Sequence, residues 1–372
     1  MKLSPREREI LALLRSQPTL DAAGVARILG TTKGAVAVAL SSLTAKGEIV
    51  GRGYLLRNEP GAVVIGGAVW DVKARSNEAM RLYTSNPSTI ARTPGGVGRN
   101  IAENLARLGS PVSLIAAVGL DQPGRELVAH TAEAGVDMSR IIFSAHDTGS
   151  YMAALDASGE LIVGQSDMLA TDRLDVMAVA RNQDVIERAS VVVVDGNLPP
   201  AVIDWALAVA GAAEVTVVIE PVSVAKASRL APVLSPTRPV FAIKPNVDEL
   251  AALTGMEVGD DVRSIIAAAR KLQARGVTYV WVSRGANGSL LVGPENAVEA
   301  VWPAEEVVDV TGAGDAMTAG FVHGLIAGAE PEQAARQGQL AAALTVASPQ
   351  TVRADLGVAF AQALHDSPGA TR

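Results

Sequence analysis

The sequence predicts an α/β protein: a parallel sheet covered by helices on both faces, preceded by a small helical unit and carrying extra strands outside the main sheet. Three observations predict it. Short Val/Ile runs ("AVVIGG", "VVVVDGN", "VTVVIEP", "VFAIKPN", "YVWVS") alternate with amphipathic segments from residue 62 onward, the pattern of a sheet buried on both faces. Residues 1–57 instead read as three short helices. Finally, 49% of residues are apolar and 19% charged, enough for a large core.

In the first unit, Ser4 is a candidate N-cap with Pro5 at the first helical position, and Ile10, Leu11, Leu13 and Leu14 form an apolar stripe. "TLDAAGVARILG" and "TTKGAVAVALSSLTAKG" are two further helices ending at Gly30 and Gly47, and "EIVGRGYLLRN" reads as two strand-like runs around Gly51 and Gly53. Three helices and a small hairpin make a winged helix-turn-helix pattern. Residues 58–61 are a plausible linker and 62–372 form the second domain. There are nine Lys/Arg against five Asp/Glu in residues 1–60, and 23 against 34 in the remainder, an asymmetry that suggests different partners. The third helix offers few long polar side chains (Thr31, Thr32, Lys33, Ser41, Ser42, Lys46), so phosphate contacts to DNA are better supported than base readout. A dimerisation or packing module is the alternative for this unit.

Two places in the second domain break the α/β rhythm. Residues 69–93 lack a clear helix, and 150–165 read as a hairpin turning at "DASG". Strands from about 69–93 and 141–166 are expected to form a small sheet acting as a lid.

Zero cysteines exclude disulfides, thiolate metal sites and cysteine nucleophiles, and suit a cytoplasmic setting. The N-terminus shows no apolar signal region, and no stretch has about 18 uncharged apolar residues, so no membrane span is expected. His130, His146, His323 and His365 are scattered and read as structural or surface residues. Walker-type, G-x-G-x-x-G and G-x-S-x-G motifs are absent.

The chemistry-bearing pattern is "DVTGAGDAMTAGF" (309–321). Gly312, Ala313 and Gly314 leave a helix start bare over an expected helix 314–328, so backbone N–H groups and the helix dipole can meet an anion. Asp315, with no evident ion-pair partner, could take a proton from an attacking hydroxyl beside that anion hole. Asp309 comes at the end of the apolar run "EEVVDV". Alone, such a pattern can be a capped turn. A second cluster, "TPGGVGRNIAENLARLG" (93–109), places Gly95 and Gly96 where backbone could approach a polyhydroxy ligand, with Asn100 one turn into a helix. Asp71 ends "IGGAVWD" and could accept from adjacent hydroxyls. In "KPNVDEL", Asn246 and Glu249 lie three apart. Alone they read as an N-cap with its capping-box glutamate, but Glu249 could also orient a hydrated Mg²⁺. Ser283, Gly285 and Gly288 follow "YVWV" in a turn that could pass close to a nucleotide.

These elements, in this order, resemble the ribokinase-like (PfkB) family of carbohydrate and nucleoside kinases over about residues 62–365. "GGVGRNIAENLARLG" is similar to its first signature and "DVTGAGDAMTAGF" to its second. The resemblance implies a three-layer α/β/α sandwich with a β-lid and ATP-dependent phosphoryl transfer to a primary hydroxyl of a nucleoside or sugar. It makes Asp315 the general base and Gly312–Gly314 the anion hole. Asp71, Gly95, Gly96, Asn100 and Asp309 would hold the acceptor. Asn246 and Glu249 match the family's N-x-x-E motif for Mg²⁺ and phosphate, and Ser283, Gly285 and Gly288 would line the nucleotide pocket. Asp309 and Thr311 match positions linked to a monovalent cation such as K⁺, although residues 347–351 show no clear motif for completing it. A homodimer is expected. Within the family, "SNPSTIARTPGGVGRNIAENLARLG", "TGSYMAALDASGELIVGQSDM" and "DGNLPP" resemble the pseudouridine kinase subfamily. The N-terminal unit resembles helix-turn-helix extensions fused to some bacterial kinases of this type. Ser150, Tyr151, Gln165 and Asp167 are candidates for contacting the base, or ordinary parts of the small sheet. A transcription regulator using the kinase fold as a ligand sensor is the other class of reading.

Overall fold

The computed structural model describes residues 3–50, 61–81, 83–304 and 306–366. The chain divides into two compact units, 1–59 and 60–372.

In the first unit, helix Pro5–Ser16 begins at Ser4, whose hydroxyl accepts from Glu7 N while Glu7 accepts from Ser4 N, the expected reciprocal cap. Helices Ala22–Ile28 and Lys33–Ala45 follow. Gly30 and Gly47, both at positive φ, close them. Ile10, Leu11, Leu14, Val25, Val36, Leu40, Leu43 and Ile49 form the unit's own core. Lys46 Nζ lies 2.8 Å from Glu7, and Ser42 Oγ donates to Glu7 at 2.7 Å. Two of the residues expected to meet DNA are therefore engaged inside the unit. The strand-like runs around Gly51 and Gly53 lie outside the described residues.

The second unit holds fourteen strands among its described residues: β1 (Ala62–Ile65), β2 (Val69–Ser76), β3 (Ser88–Gly95), β4 (Val112–Ile115), β5 (Ala117–Gly119), β6 (Ile142–Ser144), β7 (Ser150–Leu155), β8 (Leu161–Asp167), β9 (Val191–Asp195), β10 (Thr216–Glu220), β11 (Val240–Ile243), β12 (Val277–Ser283), β13 (Ser289–Val292) and β14 (Ala297–Ala300). Eight form the main sheet in the order β14-β13-β12-β11-β10-β9-β1-β4. From β4 to β12 every pairing is parallel, and β13 and β14 add an antiparallel edge.

Every residue of β1 and β9 is buried, because alternate side chains feed two cores. Val63, Ile65, Val192 and Val194 pack with Val202, Ile203, Leu250 and Ile265 from helices on one face. Val64, Val191 and Val193 pack with Ile101, Leu105, Phe321 and Val322 from helices Val97–Arg107 and Ala313–Ile326 on the other.

A separate sheet, β3-β2-β7-β8, stands outside the main one. Residues 69–95 supply β2 and β3 in place of a helix, and the hairpin β7–β8 turns where expected: Asp156 Oδ1 accepts from Gly159 N and Glu160 N. The expected third contributor differs. β6 pairs with β5 in a two-stranded sheet of its own, Ile142 N donating to Ala116 O. The described part of "EEVVDV" forms no strand. Val307, Val308 and Val310 are exposed, and the Val308 and Asp309 amides donate to Val346 O.

Candidate active site

Two glycine pairs meet beyond the ends of β1 and β9, where an α/β sheet offers its ligand crevice. Asp195, the fully buried last residue of β9, joins them. Its Oδ2 accepts from Gly67 N at 2.8 Å and Gly98 N at 2.9 Å, and its Oδ1 from Asn197 N at 2.6 Å. A Cβ on Gly66 would lie 2.4 Å from Asp195 Oδ2. Gly96, at φ +92°, crosses so close over Gly67 that a Cβ would lie 2.6 Å from the Gly67 carbonyl oxygen. No side chain fits at either place. The crossing fixes where helix 97–107 begins and thereby aims Asn100.

Asn100, buried in the first turn of that helix, donates from Nδ2 to Asp315 Oδ2 at 2.8 Å. Asp315 sits in the first turn of helix 313–326, whose N-cap is Gly312 at φ +82° with no side-chain cap. Ala313 N donates to Val310 O at 3.3 Å. The Gly312 and Gly314 amides have no partner among the described residues. Desolvation pushes the Asp315 carboxyl up to about 7, with the negative charges of Glu220 and Asp195 adding to it, against the Asn100 hydrogen bond and the Lys244 charge.

Lys244 follows β11 and is buried. Its Nζ lies 3.0 Å from Glu220 Oε2, which also accepts from Thr318 Oγ1 at 2.7 Å. A Cβ on Gly314 would lie 3.5 Å from Nζ, so the ammonium stands at the mouth of helix 313–326. Burial opposes its charge, but Glu220, Glu249 and Asp315 outweigh burial and hold it protonated. A bare helix start, a buried cation and a carboxylate titrating near neutrality are thus in one place, the equipment for moving a phosphoryl group onto a hydroxyl.

Residues 60–355 match the pfkB family of carbohydrate kinases. The chain belongs to that family. It is 33% identical over 310 residues to pseudouridine kinase of Escherichia coli, covering 82% of this chain and 96% of that one. It is 30% identical over 350 residues to the uncharacterized sugar kinase YeiI of E. coli, covering 93% of this chain and 94% of that one. This second match extends into residues 1–59, because 93% is more than the 60–372 unit can supply. Among solved structures, a carbohydrate kinase from Agrobacterium tumefaciens superposes with TM-score 0.69 at 30% identity, covering 82% of this chain and 96% of that one. Ribokinase from Giardia lamblia shares the fold, with TM-score 0.72 at 21% identity over 83% and 99% of the two chains. This is an ATP-dependent kinase of sugars or nucleosides.

In this kinase Asp71, on β2, lies directly over Gly95: a Cβ there would meet Asp71 Oδ2 at 2.3 Å. Burial raises the Asp71 carboxyl, against the charges of Arg99 and Lys73. Tyr151 pairs with Asp71, and Ser150 with both Trp70 and Asp167, while Gln165 pairs with Met152 one step further. Asn246 and Glu249 form the reciprocal cap of helix Val247–Thr254 at 2.8 and 2.9 Å. Burial, with the charges of Glu220 and Asp248, raises the Glu249 carboxyl despite the Asn246 amide and Lys244. Asn246 bridges to Ser283, whose amide donates to Pro245 O at 2.9 Å. Gly285 and Gly288 take positive φ in the turn after β12, pinned by Arg284 between Asp260 and Glu299. No hydrogen bond or ion pair ties that turn to Asp315 among the described residues. Asp309 Oδ1 accepts from Thr311 N at 2.8 Å, and Lys73 Nζ lies 3.6 Å from Oδ2. Thr351 reaches the mouth of helix 313–326: a Cβ on Gly312 would lie 2.0 Å from Thr351 O.

The sequence reading missed Asp195, Glu220, Lys244, Arg99 and Thr318. Three of them carried a signal: Asp195 and Glu220 end buried strands and Lys244 follows one, placing charge where such sheets bind ligands. His323, by contrast, is the partly buried structural histidine expected, bonded to Ser110 Oγ at 2.8 Å and edge-on to Phe360. His130, His146 and His365 are exposed.

Proposed function

We propose that this kinase transfers the γ-phosphoryl group of ATP to the 5′-hydroxyl of pseudouridine, giving pseudouridine 5′-phosphate and ADP. The observation that carries the chemistry is the Asp315 carboxyl, titrating near about 7 beside the bare Gly312–Gly314 turn and the Lys244 ammonium. Asp315 takes the proton of the attacking hydroxyl. The hydroxyl oxygen forms the new P–O bond, the bond to the bridging β,γ-oxygen breaks, and ADP leaves. The Gly312 and Gly314 amides and Lys244 stabilise charge on the phosphoryl oxygens in flight. Asp71 and the Gly95–Gly96 backbone hold the sugar hydroxyls, and Asn246 and the Ser283–Gly288 turn border the nucleotide.

No cluster of three or more His, Asp or Glu suited to a metal exists among the described residues. Mg²⁺ would enter with the nucleotide, Glu249 being the carboxylate that would hold it, and when bound it would neutralise phosphate charge. Asp309 and Thr311 are the proposed monovalent-cation position, tested by comparing turnover in K⁺ and Na⁺.

The pseudouridine assignment is supported by the relative of that name in E. coli and by another in Arabidopsis thaliana, 29% identical over 259 residues. Other nucleosides or a ribose-like sugar are the alternative acceptors. Comparing wild type with Asp315→Asn on pseudouridine and ATP tests the mechanism: near-equal turnover would remove Asp315 from the role of base.

A second reading concerns residues 1–59. Helices 22–28 and 33–45 meet at 115° across a four-residue connection, the geometry of a helix-turn-helix. With the basic charge of this unit, it supports binding to DNA phosphates.

A further inference from the structure

We propose that Arg99 is a positioning residue for phosphoryl transfer: bound to the carbonyl end of the Asn100 side chain, it commits that amide to donating its N–H to Asp315. This rests on the reading of Asp315 as the base.

Arg99 is 1% exposed, an unusual place for a guanidinium unless its donors are met, and four of its five N–H groups are. Its Nε donates to Gly95 O at 2.9 Å and its Nη2 to Pro94 O at 3.0 Å. Nη2 also donates to Asn100 Oδ1, and Nη1 pairs with Glu103. Glu103, equally buried, is held from its other oxygen by Arg107 at 2.6 and 2.9 Å. One planar group thus spans two carbonyls of the glycine turn, a carboxylate and an amide oxygen.

The amide oxygen decides the chemistry. An asparagine side chain can present either oxygen or nitrogen to a neighbour by a half-turn that barely changes its shape. Arginine only donates, so bound on one side it must face Oδ1. Nδ2 is then left for the other side, where it meets Asp315 at 2.8 Å. The flipped amide would set N–H against guanidinium and oxygen against carboxylate. The charges acting on Asp315 are Lys244, Glu220, Asp195 and Arg99 itself; of these, Arg99 is also bonded to the side chain that hydrogen-bonds the carboxylate, and Arg99→Lys, which keeps the charge, separates the two effects. A lysine at position 99 could keep the charge but not span all four acceptors.

The test is the pH profile of kcat at saturating acceptor and ATP for wild type, Arg99→Lys, and the double variant Arg99→Met/Glu103→Leu. The double variant removes the buried Arg99–Glu103 pair together, and the only charge that loses its partner is Arg107, whose side chain is 23% exposed. Losing a committed donor to the carboxylate raises the pH at which Asp315 ionises. The expected result is an acid limb shifted upward by about one pH unit in both variants, hence about a tenfold loss below the limb that shrinks at alkaline pH. A profile of unchanged shape, or a loss by the same factor at every pH, would overturn the positioning role. Should the double variant fail to fold, Arg99→Lys alone decides by the same criterion. Asp315→Asn, run in parallel, separates the two ideas. Its full activity would sink the base assignment. An inactive Asp315→Asn beside Arg99 variants with wild-type profiles would sink only the role of Arg99.

Discussion

Asn100 and Asp315, 215 residues apart in sequence, are joined by a 2.8 Å hydrogen bond from the amide nitrogen to the carboxylate. That bond ties the start of helix 97–107 to the start of helix 313–326, so the two glycine-rich turns become one site.

Replacing Asp315 by Asn should lower kcat by roughly 10²–10⁴ without lowering the melting temperature. The folded carboxyl titrates near about 7, above its unfolded value. Its favourable contribution is therefore complete below the unfolded value and is lost as pH rises through 7. At pH 8 the variant should melt no earlier than wild type, and a calorimetric scan checks this.

The same titration predicts an acid limb. In wild type, kcat/KM should rise with pH through about 7 as Asp315 ionises in the free enzyme. In Asp315→Asn that limb should be missing from whatever residual activity remains.

Lys244→Met should lose both stability and transfer, because Glu220 is left buried without its cation. Breaking a buried pair from one side costs about 3–5 kcal/mol. Adding Glu220→Leu should restore much of the melting temperature but not the turnover. Restored turnover would mean that Lys244 serves the fold alone.

Gly95→Ala should raise the acceptor KM more than the ATP KM. The new methyl would sit 2.3 Å from Asp71 Oδ2, and the carboxylate or the turn must move. Separate KM measurements for the two substrates check it.

Much of this arrangement was legible in the sequence. Val/Ile runs such as 62–65 and 191–194 announced buried parallel strands because both of their faces are covered. The capping box at Asn246 and Glu249 follows from spacing alone. The apolar run "EEVVDV" does not mark buried chain: Val307, Val308 and Val310 face solvent. The antiparallel edge of β13 and β14 was not foreseen, each strand being only four residues long. Asp195, Glu220 and Lys244 reach the site only through strand order, and no local pattern shows that order. Likewise, nothing in "GRN" reveals that the arginine turns inward.

The N-terminal unit has its own core, so removing residues 1–59 should leave kinase turnover intact. If the unit binds DNA, binding by the full chain should weaken steeply as salt rises. Gel shifts across a salt series check this.

The measurement that bears most directly on the central claim is kcat/KM with ATP–Mg²⁺ for pseudouridine, uridine, other nucleosides and ribose, on the purified full chain. A strong preference for pseudouridine is expected, with the phosphate on the 5′-oxygen. Preference for another acceptor, or no turnover on any of them, would contradict it.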